Sequence, residues 1–195
     1  MARYRTARET DIHSFQTALK QGEKPGDGLL TTVGFGGGCH WCTEAVFSAL
    51  SGVIRVSQGF IRSDPPLGDF SEAVEVQFDP AQVSFDSLIR VHLATHASTS
   101  AHSMRGKYRS AVYVFDDAAR TAAQSILDGV SAESGVFFVT QVLAHRGFKA
   151  SSEHWRDYYA TDPSRPFCTT YIDPKLATLE RDFAELLAQT EDATR

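Results

Sequence analysis

The sequence predicts an α+β fold, a ferredoxin-like two-layer sandwich with a βαββαβ-type core, a mixed sheet, an N-terminal arm and a C-terminal extension. Segments that alternate apolar and polar residues are separated by segments with helical spacing, in the order β-α-β-β-α-β-α-β. The β-β step between two helices is typical of the split βαβ pattern. A length of 195 residues with 42% hydrophobic residues suits one domain with a sizeable core, over residues 29–195.

The first half of the chain supplies three of the predicted strands and two of the helices. Residues 1–28 are polar and end in the turn-forming run G-E-K-P-G-D-G, which indicates an arm on the domain surface. Apolar runs and alternation predict strands over residues 29–35, 53–60 and 72–78. Helical spacing predicts a helix over residues 43–50, ended by Gly52, and another over residues 85–96, with Ser84 as its N-cap.

The second half continues with strands and helices in turn. Strands are predicted over residues 110–115 and 136–143, with a helix from Asp116 to about Val130 between them. A short aromatic helix is predicted in S-E-H-W-R-D-Y-Y, and a last helix begins at about Pro174. The last helix is supported by an apolar stripe formed by Leu176, Leu179, Phe183, Leu186 and Leu187.

Composition excludes several classes of partner. The 19 Lys and Arg residues are outnumbered by 24 Asp and Glu residues, and the formal net charge of -5 argues against nucleic-acid binding. Three cysteines are too few for a disulfide framework, so the thiols are expected to work in a reducing, cytoplasmic compartment. Neither a signal peptide nor a membrane span is indicated by the sequence, and we expect a monomer.

The stretch T-T-V-G-F-G-G-G-C-H-W-C-T-E, residues 31–44, carries the strongest functional signal. A β-run that ends in glycines and leads into a helical segment predicts a strand, a tight turn and a helix. Cys39 then lies at the helix N-terminus, where free backbone N–H groups and the helix dipole lower the pKa of a thiol. Since the thiolate is the reactive form, Cys39 is the candidate nucleophile.

The neighbours of Cys39 leave other classes of function open. Cys39 and Cys42 have the C-x-x-C spacing of a thiol–disulfide oxidoreductase, in which one thiolate attacks and the other resolves. A metal-binding module would need further ligands from Cys168 and scattered histidines, and no second close pair supports it. Trp41 suits a pocket wall, whereas His40 fits either a turn residue or a binding role.

Five segments resemble those of the A-type peptide methionine sulfoxide reductases, in the same order along the chain. G-F-G-G-G-C-H-W-C-T-E resembles the signature in which G-C-F-W carries the catalytic cysteine, and S-E-A-V-E-V-Q-F-D-P resembles H-A-E-A-V-E-V-x-Y-D-P. K-Y-R-S-A-V-Y resembles T-Q-Y-R-S-A-I, and E-H-W-R-D-Y-Y resembles Y-H-Q-D-Y-Y. R-P-F-C-T-T-Y-I-D-P-K-L resembles Q-P-Y-C-x-x-x-I-x-P-K-L. Together they cover about residues 33–176.

The resemblance implies thiol-dependent reduction of methionine (S)-sulfoxide, in proteins or free, through a cysteine sulfenic acid and a disulfide. It implies no metal or organic cofactor, because electrons come from a thioredoxin-type donor or a dithiol. By position, Cys39 matches the nucleophile, Trp41 the aromatic wall for the substrate methyl, Glu72 the acid and Tyr108 a hydrogen-bonding hydroxyl. The strand register agrees for Glu72, which alternates onto the same side as Val74.

Three departures from the family pattern surround the same cysteine. His40 replaces a phenylalanine, the loop between Phe60 and Glu72 lacks the second active-site tyrosine, and A-H-S-M-R-G-K-Y lacks the family's aspartate. His102 lies in that segment and is a candidate substrate-binding residue together with His40. The chain therefore either reduces methionine sulfoxide with histidines doing part of the polar work, or acts on another small-molecule sulfoxide.

Two cysteines compete for the resolving role. Cys168 resembles the family's late cysteine and follows Pro166 in a predicted loop, where a mobile thiol is expected. Cys42 is the alternative, through the short C-x-x-C ring. A helix over residues 43–50 is expected to direct Cys42 away from Cys39, which favours Cys168 as the resolving thiol.

Overall fold

The computed structural model describes residues 30–188, so the predicted arm over residues 1–28 lies outside the described residues. Within that range the strands are β1 Thr31–Gly37, β2 Val53–Arg62, β3 Ser71–Phe78, β4 Ser110–Val114, β5 Gln141–Ala144 and β6 Gly147–Ala150. The α-helices are α1 His40–Ser48, α2 Phe85–Thr95, α3 Asp117–Ser134, α4 Tyr158–Thr161 and α5 Asp173–Asp182. None of the helices in residues 30–188 combines the length and apolar character needed to cross a bilayer.

The six described strands form one sheet in the order β5-β4-β1-β3-β2-β6. Strand β3 pairs antiparallel with both β1 and β2, so β1 and β2 run in the same direction with β3 between them. Strands β4 and β6 are antiparallel to their neighbours β1 and β2, whereas β5 is parallel to β4. The predicted α+β class with a mixed sheet is confirmed.

The core lies between one face of this sheet and helices α1, α2 and α3. Alternate residues of β3 point to this face, so Val74, Val76 and Phe78 are buried, and Glu72 lies on the same side where the strand begins. An apolar cluster joins these side chains to the helices, and the ring of Phe35 on β1 stacks on Phe47 of α1 with centroids 4.4 Å apart. The face that buries the core therefore also carries the carboxyl group.

Helix α1 begins three residues earlier than predicted. Cys39 has extended backbone angles, φ −64° and ψ 124°, and its carbonyl accepts the N–H of Thr43 at 3.3 Å, so Cys39 is the N-cap residue. The helix at the other end of the core is longer than predicted, since α3 runs to Ser134 and ends at Gly135 in the left-handed conformation.

The predicted strand over residues 136–143 is mostly wrong. Only Gln141–Ala144 pairs with β4, and the N–H of Val139 instead bonds the carbonyl of Ser98 at 2.8 Å. The edge strand β6 was not predicted, because its four residues show little apolar alternation and gain their hydrogen bonds from β2.

The C-terminal third is more irregular than its sequence suggested. The predicted aromatic helix is wrong: Glu153–Trp155 forms a 3₁₀ turn and Tyr158–Thr161 a single helical turn, separated by Asp157 with φ 51°. The last helix begins at Asp173, following a π-helical turn at Cys168–Ile172, and ends at Asp182. The conformation of this segment depends more on its packing against α1, described below, than on the helix propensity of its residues.

Candidate active site

Cys39 lies between β1 and α1, where the glycines permit a close approach of backbone and side chains. Gly38 has φ +94°, a conformation that favours glycine because a Cβ would be strained there. A Cβ on Gly37 would lie 2.9 Å from the ring of His92 on α2, so a larger residue would push that helix away. The turn leaves Cys39 partly exposed at the N-terminus of α1.

The thiol of Cys39 is the more acidic of a contacting pair. The pKa of Cys39 is lowered because the Cys42 thiol donates a hydrogen bond to its sulfur, with help from the backbone N–H groups of Cys42 and Trp41. Burial and the negative charge of Glu72 oppose this effect. The pKa of Cys42 is raised by the same hydrogen bond and by burial, so Cys42 keeps its proton while Cys39 ionises.

Cys39 opens onto a pocket of about 420 Å³. The pocket brings together six residues proposed from the sequence, which are Cys39, His40, Trp41, Glu72, His102 and Tyr108. Lys107 and Phe167 also line it, and neither was singled out from the sequence. Lys107 precedes Tyr108, so the K-Y-R-S segment was the signal that contained it. The lining divides into a polar wall, formed by His40, Glu72, Lys107 and Tyr108, and an aromatic wall, formed by Trp41 and Phe167. Tyr158 supports the aromatic wall, because its ring stacks on that of Trp41.

Glu72 is the centre of the polar wall. The residue is buried, and its Oε2 accepts the backbone N–H of His40 at 3.3 Å. Its Oε1 lies 3.8 Å from Nζ of Lys107, whose side chain is largely exposed. Pairing of Glu72 with Phe60 on β2 fixes the strand from one side, and the backbone N–H of Glu72 bonds the Lys107 carbonyl at 3.0 Å on the other.

The loop before β4 holds Tyr108 and Lys107 at the pocket. Ser71 Oγ donates to the Lys107 carbonyl at 2.9 Å and accepts the N–H of Arg109 at 3.0 Å. Nζ of Lys107 lies 4.9 Å from the centre of the Tyr108 ring. Arg105 does not line the pocket, because its guanidinium donates to backbone carbonyls of its own loop, including Tyr108 at 3.1 Å.

The aromatic wall is a stack of rings beside the thiol. Trp41 and Tyr158 lie face to face, with centroids 4.2 Å apart and an interplanar angle of 6°. Phe167 meets Trp41 edge-on at 5.2 Å, and Trp155 also stacks on Trp41 at 5.4 Å. Tyr158 therefore packs against the aromatic wall and does not itself line the pocket.

Glu44 ties this wall to the helix that carries Cys39. Its buried carboxylate accepts the side-chain amide of Gln58 at 2.8 Å and the backbone N–H groups of Asp157 at 3.1 Å and Tyr158 at 3.3 Å. Burial raises the pKa of Glu44 even though these hydrogen bonds favour the charged form. Nothing in the local sequence around Glu44 signals this role, because Asp157 and Tyr158 lie more than 100 positions along the chain.

The two candidate resolving thiols occupy different positions. Cys42 contacts Cys39, and the expectation that the helix turns it away is wrong, because α1 begins at His40 and places Cys42 in its first turn. Cys168 is fully buried outside the pocket lining, packs in the same apolar cluster as Cys42, and points its sulfur at the Asp162 carbonyl, 3.6 Å away. Among residues 30–188, no group of three or more His, Cys, Asp and Glu side chains could hold a metal ion.

Comparisons with known proteins agree on one family. The profile described as "Peptide methionine sulfoxide reductase" matches residues 31–187. The Chromobacterium violaceum protein named peptide methionine sulfoxide reductase MsrA is 34% identical over 169 residues, which are 78% of this chain and 96% of that protein.

Two solved structures of Mxr1 from Saccharomyces cerevisiae share the fold. The reduced form aligns with a TM-score of 0.62 at 18% identity, over 76% of this chain and 93% of that one. Mxr1 in complex with Trx2 aligns with a TM-score of 0.54 at 17% identity, over 68% and 88% of the respective chains.

Proposed function

Because this chain belongs to the peptide methionine sulfoxide reductase family and reduces methionine sulfoxide, we propose that Cys39 is its nucleophile and Glu72 its general acid. One observation carries the assignment: the thiol with the lowered pKa and a buried carboxyl group line the same pocket. These are the two groups that removal of oxygen from a sulfoxide requires, an electron-rich sulfur and a proton donor.

The first step transfers oxygen from the substrate to Cys39. The Cys39 thiolate attacks the sulfoxide sulfur, and Glu72 protonates the sulfoxide oxygen, which leaves poorly without a proton. The attack forms a bond between the Cys39 sulfur and the substrate sulfur, and the sulfur–oxygen bond of the substrate breaks with the protonated oxygen leaving as hydroxide. The hydroxide then bonds the Cys39 sulfur while the sulfur–sulfur bond breaks with its electron pair going to methionine, so that Cys39 becomes a sulfenic acid and methionine is released. Two electrons pass from the cysteine sulfur to the substrate sulfur, and one proton is consumed.

The two walls of the pocket orient the substrate for that step. We assign the rings of Trp41 and Phe167 to the substrate methyl group, and the hydroxyl of Tyr108 to the sulfoxide oxygen beside Glu72. His102 is exposed at the pocket mouth, where it can contact the remainder of the substrate. His40 is buried, so its contribution passes mainly through Glu72.

Cys42 is the favoured resolving thiol. Its sulfur already contacts that of Cys39, so condensation of the thiol with the sulfenic acid forms a disulfide and releases water without a large movement. Cys168 is fully buried in the same apolar cluster as Cys42 and does not line the pocket, so we assign it no part in forming this first disulfide. A thioredoxin-type protein or a dithiol then supplies two electrons, a proposal supported by the Mxr1 fold having been solved with Trx2 bound.

Two further expectations remain proposals. We infer that β1–α1–β2–β3–α2–β4 forms a ferredoxin-like unit with β5 and β6 added at its edges, because the strand order β4-β1-β3-β2 is that of a split βαβ sandwich. We also propose that residues 29–195 form one catalytic domain that acts in the reducing cytoplasm, where its three thiols stay available.

Turnover on separated sulfoxide epimers tests this function. The (S)- and (R)-epimers of methionine sulfoxide, free and in a peptide, are supplied with dithiothreitol to the native chain and to Cys39→Ser. We expect reduction of the (S)-epimer alone and none by Cys39→Ser. Faster reduction of dimethyl sulfoxide than of either methionine form would instead assign a small-molecule sulfoxide.

Mapping the disulfide after one turnover tests the resolving thiol. Native chain, Cys42→Ser and Cys168→Ser are each exposed to one equivalent of substrate without reductant, then digested and analysed by mass spectrometry. We expect a Cys39–Cys42 disulfide in Cys168→Ser and an accumulated sulfenic acid in Cys42→Ser. A Cys39–Cys168 disulfide formed at the native rate in Cys42→Ser would reverse the assignment.

A further inference from the structure

The ring of His40 is hydrogen-bonded to the backbone of strand β2. His40 is buried, and its Nδ1 lies 2.8 Å from the carbonyl oxygen of Gly59 on β2. A carbonyl oxygen only accepts hydrogen bonds, so Nδ1 must carry a proton and donate it. The ring of Phe60 meets that of His40 edge-on at 5.1 Å and limits its rotation. The second nitrogen, Nε2, is therefore the ring atom that can gain or lose a proton.

Nε2 of His40 faces the proposed acid. It lies 3.9 Å from Oε2 of Glu72, the same oxygen that accepts the backbone N–H of His40. This separation is longer than a hydrogen bond, but hydrogen bonds of catalytic groups often tighten only when the substrate is bound. A shift of the carboxyl group by less than 1 Å would bring Nε2 into hydrogen-bond range.

Glu72 has charged neighbours of both signs. The Cys39 thiolate is negative, and the ammonium of Lys107 lies 3.8 Å from Oε1. Tyr108 and His102 line the pocket on the Lys107 side. The two carboxyl oxygens thus differ: Oε1 faces the exposed Lys107 side of the pocket, and Oε2 faces the buried ring of His40.

From this arrangement we infer that His40 is a positioning residue that returns a proton to Glu72 in each catalytic cycle, an inference that rests on the proposed function. Glu72 gives its proton to the sulfoxide oxygen and becomes a carboxylate. Protonated His40 then gives the proton on Nε2 to Oε2 of Glu72, and the neutral ring takes a new proton from water. No electrons move in this step, and the electrons for reduction still come from Cys39.

The inference has a consequence for the pH dependence. An imidazole normally keeps its proton to a higher pH than a carboxyl group does, with pKa values of about 6.5 and about 4.3 in model peptides. The rate of oxygen transfer therefore falls as the pH rises and the proton that reaches Glu72 through His40 is lost. Without the imidazole, this fall begins at a lower pH.

The test compares His40→Asn with the native chain in single-turnover reduction of peptide methionine (S)-sulfoxide between pH 6 and 9. Asparagine keeps a donor for the Gly59 carbonyl but does not titrate in this range. We expect a downward shift of the basic limb by about one pH unit, with about a tenfold loss of rate at pH 8 and less than about threefold at pH 6. His40→Gln is the second variant, and its basic limb is expected to shift in the same direction.

Controls separate this inference from folding and from the proposed function. His154→Asn alters an exposed histidine that packs edge-on against Trp155, and it should leave the pH profile unchanged. The pH dependence of Cys39 alkylation and the thermal unfolding midpoint are measured on each variant. A folded His40→Asn or His40→Gln whose basic limb coincides with that of the native chain would overturn the proton-return role. Loss of sulfoxide reduction in the native chain itself would instead contradict the proposed function.

Discussion

The polar wall and the aromatic wall line the same pocket as Cys39, yet they are built in different ways. The polar wall is fixed by the sheet: Glu72 is paired with Phe60, and its backbone also bonds Lys107. The aromatic wall joins Trp41 of α1 to Phe167, and the Tyr158 ring that stacks on Trp41 lies in an irregular segment tied to α1 by the carboxylate of Glu44. The comparison shows that strand register places the proposed proton donor, whereas the support of the hydrophobic surface depends on one buried side chain. Damage to the first should therefore lower kcat, and damage to the second should raise KM.

The largest expected effect is at the polar wall, in Glu72→Gln. An amide keeps the size of the side chain but cannot protonate the sulfoxide oxygen, so we expect kcat to fall by about 10²–10⁴-fold with little change in KM. Steady-state kinetics with dithiothreitol measures both. Glu75→Gln on the same strand is the matched control, because Glu75 lies 2.9 Å from His145 and away from the pocket. Equal losses in the two variants would contradict the role of Glu72.

The next effect tests how the aromatic wall is anchored, through Glu44→Ala. The N–H groups of Asp157 and Tyr158 would lose their acceptor, and we expect the free energy of unfolding to fall by about 1–3 kcal/mol. Urea unfolding at neutral pH gives this value, and KM should rise because Tyr158 loses its support. A variant of native stability would show that stacking alone holds the segment.

The same variant predicts a pH dependence of stability. Because burial raises the pKa of Glu44, the folded state favours its protonated form relative to the unfolded state. Native stability should thus decrease as the pH rises from the usual range of a glutamate through the folded-state pKa, and Glu44→Ala should lack this decrease. The stability difference between the two proteins is expected to be larger at about pH 4.5 than at pH 7.

A smaller effect is expected from Tyr158→Ala. Removing the ring takes away the nearer of the two rings that stack on Trp41, and aromatic pairs are worth about 0.5–1.5 kcal/mol. We therefore expect KM to rise by about three- to tenfold while kcat stays near the native value. Tyr158→Phe keeps the ring and is the control for the hydroxyl group. A fall in kcat equal to the rise in KM would show that the aromatic wall also takes part in the chemical step.

The smallest effect concerns the thiol between the walls. In Cys42→Ala, Cys39 loses the hydrogen-bond donor that lowers its pKa. The rate of Cys39 alkylation is measured against pH, and we expect the midpoint of this curve to move up by about one pH unit. Cys42→Ser retains a donor and should keep the midpoint low. A midpoint that moves more in Glu72→Gln than in Cys42→Ala would assign control of the thiol to the polar wall.

The local pattern of apolar and polar residues predicted much of the fold. It failed where the structure of a segment depends on residues far along the chain. Strand β3 alternates cleanly, so the inward direction of Glu72 followed from the positions of Val74 and Val76. Strand β6 has little alternation of its own and forms because β2 offers an edge, which no local signal shows. The α+β class rested on the long, strongly patterned elements and was confirmed.

The residues of the candidate active site fall into the same two groups, those that local patterns predict and those that depend on distant contacts. Cys39, Trp41 and Tyr108 belong to segments with recognisable residue patterns, and the structure places them around one pocket. The contact between Cys42 and Cys39 depends on whether α1 begins at His40 or at Thr43, a difference of less than one turn that helix propensity does not resolve. The role of Glu44 depends on residues more than 100 positions away along the chain.

The unequal burial of the two neighbouring sulfurs sets an order of events. Cys42 is 5% exposed, whereas Cys39 opens onto the pocket, so a reducing protein that attacks a disulfide between them must reach the sulfur of Cys39. Its route of entry is then the space that methionine has just left. In the proposed scheme, oxidised substrate and reductant enter through the same pocket and exclude each other. Their initial-rate plots should accordingly give the parallel lines of a ping-pong scheme.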